Sequence, residues 1–284
     1  MIHVHAYIEK IRTSLHDLYP AQEIEQFIIL LFAHCCQYNR ADLILHKNSN
    51  LSQSQHQQLD CIVERLKKHE PIQYILGETH FYGSTFSVAP GVLIPRPETE
   101  ELVDLIIHDC SNNSPQILDI GTGSGCVAIS LAKNIANSRI EAFDISPQAL
   151  EIAAQNCVRN QTKVQLKLVD ILTFDPQIKA NQLDILVSNP PYVCDSEKAA
   201  MHPNVLLHEP HLALFVSDSD PLLFYRTIAE KGRIMLKPQG KLYFEINAQF
   251  GIETKQMLEK LGYTEVCVIQ DFYQKDRIIK ATKP

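Results

Sequence analysis

Apolar residues in the first 75 positions recur at helical spacing. Val4, Ile8, Ile11, Leu15 and Leu18 step by four and three, which lines them along one helical face. Pro20 can open a second helix, with Ile24, Phe27, Ile28, Leu31 and Cys35 facing inward. Ser52 can cap another, striped by Leu59, Ile62, Val63 and Leu66. No alternating strand pattern interrupts this stretch, so a small helical domain is predicted over residues 1–75. The pattern then changes. Gly77, Phe81, Tyr82, Gly83, Phe86, Val88 and Val92 mix aromatic and β-branched residues with glycines, which predicts a β-hairpin linker over 76–96.

From residue 97 to 284, short apolar runs alternate with amphipathic ones. Strands are predicted at 117–120, 140–143, 164–169, 183–187 and 241–246. Helices are predicted at 126–136, 147–159 and 221–236, the last ended by Pro238-Gln239-Gly240. Two more strands, 265–269 and 277–281, follow one another across a short polar turn. The expected fold class is α/β: a mostly parallel, Rossmann-like sheet with helices on both faces and an antiparallel final hairpin.

Composition narrows the function classes. A chain of 284 residues suits one medium domain plus a small one. No apolar run approaches a membrane span, so no membrane association is expected. The opening residues lack a basic segment followed by an apolar one, so neither a signal nor a transit peptide is read. The eight cysteines form no C-x-x-C pair, and most sit in apolar stretches. A disulfide framework is not expected, and the cytoplasm is the natural compartment. The twelve histidines form neither H-x-x-x-H nor H-E-x-x-H, so no metal is expected. A net charge of −7 places nucleic-acid binding at a disadvantage, because that affinity draws on lysine and arginine neutralising phosphates. A monomer is expected.

Two motifs carry chemistry. The first is Asp119-Ile120-Gly121-Thr122-Gly123-Ser124-Gly125, between a strand and its helix. Glycines let the chain turn sharply and let a ligand approach the backbone. The spacing is G-x-G-x-G, not the dinucleotide G-x-G-x-x-G. It suits a nucleoside with an amino-acid tail, and S-adenosylmethionine is the cofactor expected. Asp144, at the end of the next strand, can accept from both ribose hydroxyls. Asp170, after the third strand, can accept from the adenine amino group. Their neighbours Ile145 and Ile171 complete the candidate cofactor set, which also includes Asn189. The plainer alternative makes both aspartates helix caps.

The second motif is Asn189-Pro190-Pro191-Tyr192, where the fourth predicted strand ends. Two prolines stiffen the turn and remove two N–H donors. Asn189 adds a carbonyl acceptor, and Tyr192 a face for a planar group. An amide or aromatic NH₂ is a poor nucleophile because its lone pair is delocalised. Asn189 Oδ1 and the Pro190 carbonyl can hold its two N–H bonds and aim the lone pair at a sulfonium methyl. Asn189, Pro190 and Tyr192 are the candidate catalytic residues, and Pro191 joins them in the candidate substrate slot.

The two motifs together resemble the amino-group methyltransferases of the Rossmann-like class I fold. Within that class, Val92-Leu93-Ile94-Pro95-Arg96-Pro97-Glu98-Thr99-Glu100 resembles the hallmark of the HemK/PrmC family, the release factor glutamine methyltransferases. Pro71 to Gly77, Glu209-Pro210, Ala213-Leu214, Tyr225-Arg226, Glu245-Ile246 and Asp276-Arg277 agree with it. The resemblance implies methyl transfer to the glutamine of the Gly-Gly-Gln loop of class 1 release factors, with the helical domain helping to dock the factor. Two departures stand out. Val216 to Leu222 replaces a glycine-rich stretch, and Asn247 replaces the glycine of Glu-Ile-Gly. Two rivals share some of these features: a nucleic-acid amino-group methyltransferase, and a non-catalytic binding module that kept the fold.

Overall fold

The computed structural model describes residues 2–284. The chain divides into two compact units, one built from the residues up to Gly77 together with His202–His208, the other from Glu78–Met201 and Glu209–Pro284.

The first unit contains α1 (Val4–Leu15), α2 (Ala21–Cys36), α3 (Arg40–Leu45), α4 (Gln53–Leu66) and α5 (Ile72–Leu76). Ser52 and Gln55 close a capping box at the start of α4, each side chain accepting from the other's backbone N–H. The α4 stripe of Leu59, Ile62, Val63 and Leu66 is fully buried. On α1, Tyr7 is buried where Ile8 is expected, and its hydroxyl donates to Asp60 at 2.6 Å. A tyrosine can sit in a core only if its hydroxyl finds such a partner.

The second unit opens with β1 (Glu78–Phe81) and β2 (Ser84–Ser87), an antiparallel pair. Then come α6 (Pro97–Asp109), β3 (Gln116–Ile120), α7 (Cys126–Asn134), β4 (Arg139–Asp144), α8 (Pro147–Arg159), β5 (Val164–Leu168) and β6 (Leu183–Ser188). The short strand β7 (Val193–Cys194) precedes α9 (Pro203–His208), which belongs to the helical unit. The chain ends with α10 (His211–Leu214), β8 (Phe215–Val216), α11 (Leu223–Met235), β9 (Leu236–Glu245), α12 (Gly251–Lys260), β10 (Thr264–Gln270) and β11 (Asp276–Thr282).

Seven strands form one sheet in the order β10-β11-β9-β6-β3-β4-β5. The pairs from β5 to β9 are parallel, and β9-β11 and β11-β10 are antiparallel. This is the expected Rossmann-like sheet with an antiparallel closing hairpin. Alternation along β3 sends Leu118 and Ile120 to a core shared with α11 and α12, and Ile117 to a core shared with α6 and α7. Asp119 therefore points toward the α6–α7 face, where it is 2% exposed.

Several elements depart from the predicted pattern, β9 and α12 among them. Strand β9 begins at Leu236, so Pro238-Gln239-Gly240 lies inside the strand rather than ahead of it. The ladder to β6 skips between Leu183↔Leu236 and Ile185↔Lys241, and proline is tolerated at such an irregularity. Helix α12 was not predicted. Its buried positions are Gly251, Thr254 and Leu258, so two of the three carry no apolar signal.

Candidate active site

Strands β3 and β6 lie side by side, yet the chain runs outward from β3 to β4 and β5 before returning to β6. Ligands bind at such a switch point, outside the C-terminal ends of the strands. Ile120 pairs with Ser188, so the glycine loop and the Asn189 turn leave the sheet next to each other. A cavity of about 400 Å³ opens there.

Gly121 has φ +74° and Gly123 φ +54°, a backbone region that L side chains rarely adopt. The Gly121 and Thr122 N–H groups both donate to the Phe143 carbonyl, at 2.9 and 3.0 Å. The Gly123 N–H donates to Asp144 Oδ2 at 2.8 Å. The loop is thus held to the end of β4. Asp144 Oδ1 accepts from the Ser146 N–H at 2.9 Å, and the cap of α8 is Ser146, not Asp144. Burial raises the pKa of Asp144, opposed by the N–H groups of Ser146 and Gly123. Asp170 stands two residues beyond β5 and accepts from the Leu172 N–H at 2.9 Å.

Of the predicted cofactor set, Gly121, Gly123, Asp144, Ile145, Asp170, Ile171 and Asn189 line the cavity. Thr122, Ser124 and Gly125 do not. The Thr122 hydroxyl turns inward and donates to Asp119 Oδ2 at 2.7 Å. Ser124 is 2% exposed, and Asn156 donates to its carbonyl at 2.9 Å. Gly125 caps α7 in the left-handed region, where a Cβ would press on Ile129 at 3.0 Å.

Pro190 and Pro191 line the cavity beside Asn189. Tyr192 is placed differently. Its N–H donates to the Leu214 carbonyl at 3.2 Å, and its hydroxyl to Glu245 Oε1 at 3.0 Å. Glu245 is 1% exposed and also accepts from Thr99 Oγ1 at 2.6 Å. Burial raises its pKa, against the Thr99 and Tyr192 hydrogen bonds and the charge of Arg277.

The hallmark stretch is fastened by a second buried acid. Glu209 accepts from the Ile94 N–H at 3.1 Å and from Arg96 at 2.6 Å. In the sequence, Glu209, Glu245 and Thr99 stand out only as points of resemblance. The signal that could have given them roles is a charged residue inside an otherwise apolar segment, as at Phe244-Glu245-Ile246.

Residues 10–77 match the family model of the PrmC N-terminal domain, and residues 99–214 that of the methyltransferase small domain. A release factor glutamine methyltransferase of Bacteroides thetaiotaomicron is 48% identical, over 96% of this chain and 98% of its own. The chain belongs to the release factor glutamine methyltransferase family. Namesakes from Flavobacterium psychrophilum and Lactococcus lactis are 45% and 36% identical, covering 94% and 96% of this chain and 94% and 98% of their own. A methyltransferase structure from Pyrococcus furiosus shares the fold at a TM-score of 0.51 and 18% identity, covering 70% of this chain and 88% of that one. The methyl donor of this family is S-adenosylmethionine. The cavity fits that molecule. Two positive-φ glycines, the carboxylates of Asp144 and Asp170, and apolar Ile145, Ile171 and Leu172 line it. Among the described residues, no helix is long and apolar enough to cross a membrane, and no group of three acid, histidine or cysteine residues is placed to hold a metal.

Proposed function

We propose that this chain methylates the side-chain amide nitrogen of the glutamine in the Gly-Gly-Gln motif of class 1 release factors. Family membership supports the reading. The structural observation that carries it is the Ile120–Ser188 pairing, which brings the glycine loop and the Asn189 turn to one cavity.

Asp144 would accept the ribose hydroxyls of S-adenosylmethionine and Asp170 its adenine amino group, with Gly121 and Gly123 against its backbone-like tail. Bound there, it supplies an electrophilic methyl group on a sulfur that leaves as a neutral thioether. Asn189 Oδ1 and the Pro190 carbonyl accept the two N–H bonds of the substrate amide, which aims its lone pair at the sulfonium methyl. Their dipoles also stabilise the positive charge that develops on nitrogen as the N–C bond forms. The surplus proton then passes to water, so no strong base is required. The helical unit serves to dock the release factor. On α3 it exposes Ile44 and Leu45, two large apolar side chains.

The deciding experiment offers an unmethylated release factor and an RNA side by side, with a methyl-labelled donor. Label on the Gly-Gly-Gln glutamine, located by peptide mass spectrometry, is the expected result. Label confined to RNA removes the proposal.

A further inference from the structure

Tyr192 is held at both ends by residues two apart in sequence. Its hydroxyl donates to Glu245 Oε1 at 3.0 Å, and its carbonyl accepts from Asn247 Nδ2 at 3.1 Å. Glu245 is the last residue of β9, the strand beside β6, so both contacts come from the neighbouring strand end.

Each of the two residues is itself fixed. The second oxygen of Glu245 accepts from Thr99 at 2.6 Å, inside the hallmark stretch. Asn247 is 7% exposed and uses its whole polar inventory. Its backbone N–H donates to the Tyr225 hydroxyl at 3.1 Å, and its Oδ1 accepts from the Gln249 N–H at 3.0 Å. Its Nδ2 also donates to Glu197 Oε2 at 2.9 Å, an oxygen that accepts from the Cys194 N–H as well. Glu197 and Cys194 follow directly on the Asn-Pro-Pro-Tyr turn. A network in which every buried member is satisfied fixes one arrangement, whereas a partly satisfied one does not.

We propose that Glu245 and Asn247 are positioning residues for the Asn-Pro-Pro-Tyr turn, setting the Tyr192 ring and, through it, the substrate slot formed with Asn189 and Pro190. The inference rests on the methyl-transfer reading above and extends it to residues that do not line the cavity. Asn247 does here, with a side chain, what a glycine cannot do. It ties the turn to the segment of Cys194 and Glu197. Glu245 couples the turn to Thr99, in the same hallmark stretch whose Val92 and Leu93 line the cavity.

The consequence is a specific kinetic pattern. A positioning residue changes the chemical step and leaves cofactor binding alone, and misplacing a reacting group by about 1 Å can cost roughly 100-fold. Glu245→Ala should slow single-turnover methylation of a release factor roughly 10- to 100-fold, with donor affinity measured by calorimetry within about 3-fold of wild type. Glu245→Gln, which keeps the volume and an acceptor, should recover most of that loss. Tyr192→Phe and Glu245→Ala should not add in the double variant, because both break one contact. Asn247→Ala should act in the same direction.

If Glu245→Ala does not fold, Glu245→Met, which keeps the volume and also breaks the contact, replaces it in the same cycle with Tyr192→Phe. Additive losses in that cycle, or a folded Glu245→Ala with wild-type rate, overturn the proposal. A wild-type protein that leaves the release factor unmodified sinks the methyl-transfer reading instead. The ¹⁹F resonance of fluorotyrosine-labelled Tyr192 then decides the positioning role. A shift or broadening in Glu245→Gln supports it, and an unchanged resonance overturns it.

Discussion

The Ser188 hydroxyl donates to the Ile120 carbonyl at 2.6 Å, in a place where Ser188 is fully buried. These are the last residues of two adjacent strands, and the next residue of each is Asn189 or Gly121. The bond therefore ties the Asn189 turn to the candidate cofactor loop.

Ser188→Ala should remove that tie and leave the Ile120 carbonyl short of a partner. The expected cost is about 1–3 kcal/mol of stability. Urea unfolding read by circular dichroism should show the midpoint falling with an unchanged slope. An unchanged midpoint would mean that the two strand ends are held by the ladder alone.

Asp144→Ala should weaken donor binding by about 2–3 kcal/mol, from two charge-assisted hydrogen bonds of about 1–1.5 kcal/mol each. The variant also frees the Gly123 N–H, which Asp144 now holds at 2.8 Å. Calorimetry with S-adenosylmethionine or its demethylated product measures the loss. Wild-type affinity would remove Asp144 from the cofactor site.

Asn189→Ala should lower the methylation rate by roughly 10²–10³, the scale seen when one preorganised polar group is removed. Donor affinity should change far less, because the lost contact matters most in the transition state. Single-turnover kinetics alongside calorimetry separate the two. A variant near wild-type turnover contradicts the assigned role.

Burial pushes the Asp119 carboxyl up to about 7 from 3.8, opposed by the Thr122 hydroxyl and reinforced by the charge of Asp144. The folded protein thus holds this proton more tightly than the unfolded chain does. Its contribution to stability is complete below about pH 4 and is lost as pH rises through about 7. Asp119→Asn, always neutral, should remove this dependence. The two proteins' unfolding free energies should diverge by at most about 1.4 kcal/mol per pH unit between pH 4 and 7. Parallel curves over that range would show that Asp119 is already charged in the folded state.

Ile44 and Leu45 are 70% and 76% exposed on α3. Replacing both with serine should raise KM for the release factor by roughly tenfold, the loss of about 1.4 kcal/mol of contact. The rate at saturating factor and the donor affinity should stay near wild type. An unchanged KM would move the docking surface elsewhere on the chain.

The sequence by itself determined the alternating β-α order, the glycine loop, the Asn-Pro-Pro-Tyr turn and the hallmark stretch. Each is legible because its physics is local. A glycine marks a backbone that other residues avoid, two prolines mark a rigid turn, and an aspartate closing an apolar run marks a strand end. The same locality explains what was missed. Helix α12 buries Gly251 and Thr254, which give no apolar period. The inward turn of Thr122 depends on Asp119 being sealed between sheet and helices, which no spacing reveals. Only the tertiary structure decided that Thr99 meets Glu245 across 146 positions, that Arg96 meets Glu209 across 113, and that Tyr192 turns toward Glu245. Those pairs form because a buried carboxylate must find donors wherever the fold supplies them. For Glu245 and Tyr192 the meeting is settled by strand order, through the placement of β9 beside β6.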